Sequence, residues 1–120
     1  MDLDNAWQTF ESSADYTVGL EEEFALLDPE GLSLVNAFER MHAAAGRDDV
    51  LRDSVAGELI SSEIEIRSGR GADFGDAVAK QQECRNRLFA LAANEGVALG
   101  AMGTHPWSPW QGQHVIDTPH

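Results

Sequence analysis

Three consecutive glutamates, Glu21, Glu22 and Glu23, sit inside an otherwise apolar stretch, TVGLEEEFALLD, from Thr17 to Asp28. In an extended strand alternate side chains share a face, so Glu21 and Glu23 point the same way with Cα atoms roughly 6–7 Å apart. Like charges so placed repel each other unless a cation, a basic side chain or water offsets them. Mg²⁺ prefers hard oxygen ligands and commonly joins one or two carboxylates to substrate phosphates. E-x-E alone is weak evidence, because alternating acids also line solvated sheet faces. A second stretch, ELISSEIEIRSG, repeats the spacing at Glu63 and Glu65, with Glu58 just upstream. If the two strands are neighbours, Glu21, Glu23 and Glu65 can converge on a metal ion. Arg67, on the same face, can instead neutralise one of these acids, Glu63 included, through an ordinary surface salt bridge.

Other chemistry is less well supported. His105, in GTHPW, follows an apolar segment, and loops after buried strands often carry ligand contacts. Its imidazole can bond a carboxylate or a metal, although a lone loop histidine more often does neither. Trp107 and Trp110 either wall a pocket or pin that loop to the core, and packing is the simpler reading. The sequence has no GxxxxGK[ST], GxGxxG or C-x-x-C motif. Ser61, Ser62, His42 and His105 form no recognisable nucleophile pattern. Cys84 lies among apolar neighbours and reads as a core residue.

The charge balance narrows the partners. With 21 acids against 8 Lys plus Arg, the formal charge is −13. Nucleic-acid backbones and anionic membranes are repelled by such a chain, and an anionic substrate needs a cation between it and the acids. No apolar run approaches the roughly 20 residues of a membrane span. The acidic start, MDLDNAWQTFESSADY, lacks the basic-then-apolar order of a secretory signal. One cysteine cannot make an internal disulfide, which fits a reducing compartment, so the expected location is cytoplasmic.

The elements that must position these residues fit one domain over 1–120, with a loose or weakly helical lead-in over 1–15. Val18, Leu20, Phe24 and Leu26, with Glu22 between them, share one strand face; Gly19, Glu21, Glu23 and Ala25 share the other. DPEG suits a type I turn and LSLV follows, predicting a hairpin over 17–35. NAFERMHAAAG reads as a short helix with Asn36 as cap and Glu39 completing a capping box. RDDVLRD reads as a loop, and the second acidic strand follows with Ile60, Ile64 and Ile66 inward. Phe74, Val78, Leu88, Leu91 and Ala92 keep helical spacing, with Asp73 as N-cap and Gly96 as stop. VALGAMG is a short buried strand. The resulting class is α+β: a mixed, mainly antiparallel sheet with helices packed on one side.

Taken together, TVGLEEEFALLD, ELISSEIEIRSGR and GAMGTHPW resemble the N-terminal third of glutamate–cysteine ligase family 2, the carboxylate–amine ligases, from about Tyr16 to His120. The resemblance implies a glutamine synthetase-like catalytic domain whose sheet cups ATP, Mg²⁺ or Mn²⁺, and glutamate. It implies phosphorylation of the glutamate γ-carboxylate, then displacement of phosphate by the amine of cysteine or another amino compound. Carried over by position, Glu21, Glu23 and Glu65 are metal ligands, and Glu58, Ser68, Thr104 and His105 lie at the substrate. Ser68 stands where threonine is usual. Family members run to several hundred residues, so the chain is expected to be an incomplete portion, inactive alone, with the ATP-binding basic residues and the acceptor-amine pocket beyond His120. A non-catalytic metal-binding or self-associating module is the competing reading, since unpaired edges of a truncated sheet favour homo-oligomers. An acidic α/β domain with no site at all is the third.

Overall fold

A computed structural model describes residues 2–116; the two ends of the 1–120 domain lie outside the described residues. The lead-in forms a helix, α1 (Leu3–Glu11), capped by the Asp2 carboxylate, which accepts from the Asn5 N–H at 3.1 Å. None of its residues is buried. The three glutamates open strand β1 (Glu21–Leu27). After it come α2 (Phe38–Ala45), the one-turn α3 (Leu51–Ser54), β2 (Val55–Ala56) and β3 (Glu63–Arg67). The long α4 (Phe74–Asn94) leads to β4 (Ala98–Gly100), and a 3₁₀ turn, Trp110–Gly112, follows.

The sheet order is β2-β3-β1-β4, and every pairing is antiparallel. Alternation drives one face of it into the core. Phe24 and Leu26 from β1, Ile64 and Ile66 from β3, and Val55 from β2 pack with Met41, Leu51 and Leu88 from the three helices. Fully burying each large side chain of this kind is worth about 1.5–3 kcal/mol, which fixes the register and hence which acids face outward. The class is α+β, as expected. No helix among the described residues is long and apolar enough to cross a membrane.

Several local expectations need correction. The DPEG turn forms: Asp28 Oδ1 accepts from the Glu30 and Gly31 N–H groups at 3.1 and 2.6 Å. LSLV, however, contributes only an isolated bridge, Leu34 to Leu27. β1 is already flanked by β3 over Glu21–Ala25 and by β4 over Ala25–Leu27, leaving no long edge for a hairpin partner. α2 begins from Ala37 without a side-chain cap. Asn36 turns instead to the 110s, donating to the Gly112 carbonyl at 2.9 Å and accepting from the His114 N–H at 3.2 Å. Glu39 accepts from the Ser61 hydroxyl at 2.9 Å. The polar segment read as a loop holds α3, because Asp48 Oδ1 accepts from the Val50 and Leu51 N–H groups and starts a turn.

The second acidic strand is shorter than its alternation implied, beginning at Glu63; Ile60 bridges to Val115 instead. α4 has the predicted cap at Asp73 and stop at Gly96 (φ 66°), but a shifted buried stripe. Ala77, Gln81, Cys84, Leu88 and Ala92 face inward, while Phe74 and Val78 stay exposed. Small residues at 77 and 84 let the helix lie close to the sheet, and Gln81 is tolerated because its amide N–H₂ reaches Glu22 (3.1 Å) and the Ile66 carbonyl (3.3 Å). Cys84 is in the core, as expected.

Candidate functional site: an acidic sheet face

The face of the sheet turned away from the helices collects carboxylates because β1 and β3 alternate in phase. In the β1–β3 ladder Glu21 lies opposite Arg67, Glu23 opposite Glu65, and Ala25 opposite Glu63. Directly opposed residues on one face have Cβ atoms about 4.5–5.5 Å apart, so Glu23 and Glu65 form a like-charge pair. Glu22 takes the other face. It pairs with Arg85 of α4 and accepts from Gln81, which answers why three acids can stand in a row.

Glu65 is only 4% exposed, and a buried carboxylate needs compensation. Arg67 supplies it with a two-pronged grip, Nε and NH2 donating to the two Glu65 oxygens at 2.8 and 3.0 Å. That grip holds the Glu65 carboxyl below its ordinary pKa. The Arg67 guanidinium also approaches Glu21 at 3.7 Å. The expected neutralising role of Arg67 is therefore directed at Glu65 and Glu21 rather than Glu63. Glu58 shares a hydrogen bond with Glu65, which raises the Glu58 pKa, with burial adding to it. Burial raises that of Glu63, and the neighbouring Glu23 charge raises it further. Of these carboxylates, Arg67 makes ion pairs with Glu65 and Glu21, while Glu23 and Glu63 have no basic partner among the described residues.

This imbalance bears on whether a divalent cation suits the site. The donors are hard carboxylate oxygens, the kind Mg²⁺ and Mn²⁺ take, and their mutual repulsion shows where positive charge is lacking. In this conformation Arg67 engages both Glu65 oxygens, and among the described residues no three His, Cys, Asp or Glu side chains stand in a metal-holding arrangement. The donor set fits the cation in kind; admitting one requires Arg67 to loosen from Glu65 and the side chains to turn.

The remaining sequence-derived candidates separate. Ser68, one residue past β3, accepts from the Leu20 N–H at 2.9 Å and donates to the Gly69 carbonyl at 2.7 Å. Its hydroxyl locks the entry of β1 to the exit of β3, beside Glu21 and Arg67. His105 lies at the other end of β1. Its Nδ1 accepts from the Trp107 and Ser108 N–H groups at 3.3 and 3.0 Å, and its Nε2 lies 2.7 Å from the Leu32 carbonyl. A carbonyl can only accept, so the ring is the neutral Nε2–H tautomer, with Nε2 tying the loop to the residue after the DPEG turn and Nδ1 closing the loop on itself. Thr104 beside it is exposed. Trp107 and Trp110 are also exposed, Trp107 meeting the His105 ring edge-on at 4.8 Å, so neither is packed into the core. Glu21, Glu23, Glu58 and Glu65 are brought together, with Ser68 adjacent, and Thr104 and His105 are not among them. Arg67 sits on the face that sequence reasoning gave it and neutralises one of the acids named there, Glu65, with Glu21 nearby.

An α+β domain with a helix-covered core and an open, carboxylate-rich sheet face is the class these observations define. Sequence comparison gives the family: residues 17–120 match glutamate–cysteine ligase family 2 (GCS2), and the chain belongs to it. A provisionally named glutamate–cysteine ligase 2-3 of Rubrobacter xylanophilus is 34% identical over 110 residues, covering 92% of this chain and 30% of the relative. Glutamate–cysteine ligase 2 proteins, likewise provisionally named, of Bordetella avium and Sorangium cellulosum are 34% and 32% identical, with 92% and 85% of this chain and 27% of each relative covered. The chain therefore spans less than a third of the length of these relatives.

Proposed function

We propose that this chain is the acidic-sheet portion of an ATP-dependent carboxylate–amine ligase, which activates the γ-carboxylate of glutamate as an acyl phosphate for attack by an amine such as that of cysteine. The observation that carries this reading is the Glu23–Glu65 pair on the open face, flanked by Glu21 and Glu58. Phosphoryl transfer asks little covalent chemistry of a protein and depends on positioning and charge stabilisation. Glu21, Glu23 and Glu65 would hold the divalent cation, which when bound supplies the positive charge that lets ATP phosphates approach a chain of charge −13. Arg67 and Glu58 then tune Glu65, the first by holding it ionised and the second by sharing its hydrogen bond. Ser68 fixes the ends of β1 and β3 so that their acids stay opposed.

Calorimetric titration of the 120-residue chain with Mg²⁺ and with Mn²⁺ tests the reading. Saturable binding is expected, weakened at least tenfold in Glu23→Gln and in Glu65→Gln; equal affinity in wild type and both variants would remove its basis. ADP release with glutamate, cysteine, ATP and Mg²⁺ is expected to stay at background, because the chain covers 30% or less of its relatives. A second reading, a metal-binding module that self-associates, is favoured by the places of β2 and β4 at the two edges of the sheet. Size-exclusion chromatography separates it, since it requires a concentration-dependent dimer or larger species.

A further inference from the structure

Helix α1 buries none of its residues in its own chain. Its large apolar side chains are nevertheless aligned: Leu3, Trp7 and Phe10 stand at i, i+4 and i+7, and each is between 61% and 72% exposed. The Trp7 and Phe10 rings lie 6.0 Å apart. A helix of nine residues is marginal in water by itself, and such helices gain stability by seating an apolar face. The link from α1 to β1 is folded into local turns rather than bringing that face to the core. Ser12 and Ser13 each donate to the Thr9 carbonyl at 3.0 Å, Thr17 donates to the Ala14 carbonyl at 3.2 Å, and Tyr16 sits at φ 63°.

A groove of matching character lies between α4 and the start of β1, on the helix side of the sheet. It encloses about 300 Å³ and is lined by Leu20, Glu22, Val78, Gln81, Gln82 and Arg85. Phe74, one turn before Val78 and 65% exposed, prolongs the apolar strip along α4. Gln81 is only 6% exposed, yet its Oε1 has no hydrogen-bond partner among the described residues. Its N–H₂ is already spent on Glu22 and the Ile66 carbonyl, so the orphan acceptor needs a donor from elsewhere. Arg85 neutralises Glu22, and Leu20 also borders the adjoining depression that holds Arg67 and Arg70. The groove suits a broad apolar group with one N–H donor and acidic neighbours.

Helix α1 supplies all three. The Trp7 indole is flat, apolar and carries a single N–H donor, while Asp2, Asp4 and Glu11 accompany it without any Lys or Arg. Trp107 and Trp110 carry the same donor but stand among Pro, Ser and Gln with no adjacent acid. Pairing α1 with another α1 would set like charges face to face.

We propose that α1 of one copy of this chain docks in the α4–β1 groove of a second copy, and the reverse, with the Trp7 indole N–H donating to Gln81 Oε1. Helix-in-groove recognition reads anchors at the spacing of Leu3, Trp7 and Phe10. The exposed stripe offers roughly 300–450 Å² of surface. With the groove it covers and both contacts made, the pair buries roughly 1,200–1,800 Å², the size of stable interfaces. Reaching Oε1 requires exposed side chains at the mouth of the groove to turn, a nanosecond event. The surface lies across the sheet from the carboxylates, so the inference stands apart from the ligase reading and from pairing at the sheet edges.

Sedimentation equilibrium of the 120-residue chain, with the Trp7 indole N–H followed by ¹⁵N NMR, tests it. A concentration-dependent dimer is expected, the indole resonance shifting as dimer forms. Trp7→Ser and Val78→Glu should each weaken association at least tenfold, whereas Trp110→Ser, at another exposed tryptophan, should leave it unchanged. Trp7 lies outside the core, so its variant does not act by unfolding the chain. Each of the first two variants keeps the half that the other lacks. An equimolar mixture should therefore form a heterodimer at a concentration where neither associates alone. A chain that stays monomeric at millimolar concentration overturns the proposal. So does a dimer that Trp7→Ser leaves intact, which would mark sheet-edge pairing, or an equal loss in Trp110→Ser. A monomer whose Trp7 indole is shielded from solvent, marking docking in its own groove, and a mixture that fails to associate overturn it as well.

Discussion

Arg85 of α4 closes an ion pair with Glu22 of β1, and its guanidinium carbon lies 5.3 Å from the ring centroids of both Phe24 and Phe89. The two rings meet edge to face at 5.5 Å. This arrangement anchors the middle glutamate on the helix side and so commits Glu21 and Glu23 to the open face. Partly exposed pairs fall between solvent-screened salt bridges and charged hydrogen bonds, so Arg85→Ala should cost about 1–2 kcal/mol of stability. Glu22→Gln should cost less, since Gln81 still finds an acceptor there. Urea denaturation of the two variants measures both; an Arg85→Ala midpoint equal to wild type would mean the pair positions nothing.

Glu23 and Glu65 predict effects of opposite sign with and without a divalent cation. Without one, Glu23→Gln removes a like charge facing Glu65 and should stabilise the chain by roughly 0.2–1 kcal/mol. With Mg²⁺ at about 100 times its Kd, wild type should gain about 2.7 kcal/mol by mass action while the variant gains little. Thermal melts at several Mg²⁺ concentrations should therefore cross. Parallel curves would show that the cation, if bound, does not involve Glu23.

The same face should make stability depend on pH in mildly acidic solution. Glu58 and Glu63 have pKa values raised above 4.5 in the folded chain, the first by its bond to Glu65 and the second by burial. Between 4.5 and their raised values the folded chain binds more protons than the unfolded chain, so stability falls as pH rises through this range. Glu65 is shifted the other way by Arg67. Its contribution is complete above 4.5 and is lost as pH falls through its lowered folded value. Glu63→Gln should thus raise the melting temperature at pH 7, with the gain shrinking toward pH 4.5. A gain that is constant with pH would show that Glu63 carries no repulsion.

How much of this was legible in the sequence follows from the range of each interaction. The split of Glu21 and Glu23 from Glu22, the second acidic face and the caps of α4 are set by neighbours within four residues, and all were readable. The partner of Glu22 is 63 residues away, and an arginine at position 85 carries no local mark of where it will reach. The Nε2 partner of His105 was out of reach for the same reason: Leu32 lies on a turn 73 residues earlier. The inward stripe of α4 was misplaced because Ala77 and Gln81 do not stand out as apolar. There close approach to the sheet, rather than hydrophobicity, decides the face. The short α3 and β2 depend on the Asp48 cap and on β3 as a template, and neither pattern shows in RDDVLRD.

Gly71, which bridges to Val18, and Gly69, both just past the exit of β3, should respond to alanine for different reasons. A Cβ on Gly71 would come within 2.7–2.9 Å of the Ala77 backbone N, Cα and Cβ at the start of α4. Those atoms belong to a capped helix and cannot swing aside, so Gly71→Ala should cost about 1–3 kcal/mol, as overpacking does, and push α4 from the Val18 bridge. A Cβ on Gly69 meets nothing within 4 Å, but the φ of 66° remains. Gly69→Ala should cost only about 1 kcal/mol of backbone strain. Gly103→Ala, where no atom lies within 4 Å and no positive φ is imposed, should be near neutral. Denaturation midpoints should fall in the order Gly103→Ala, Gly69→Ala, Gly71→Ala. A Gly71→Ala chain as stable as wild type would mean that α4 does not seat against the exit of β3 at this distance.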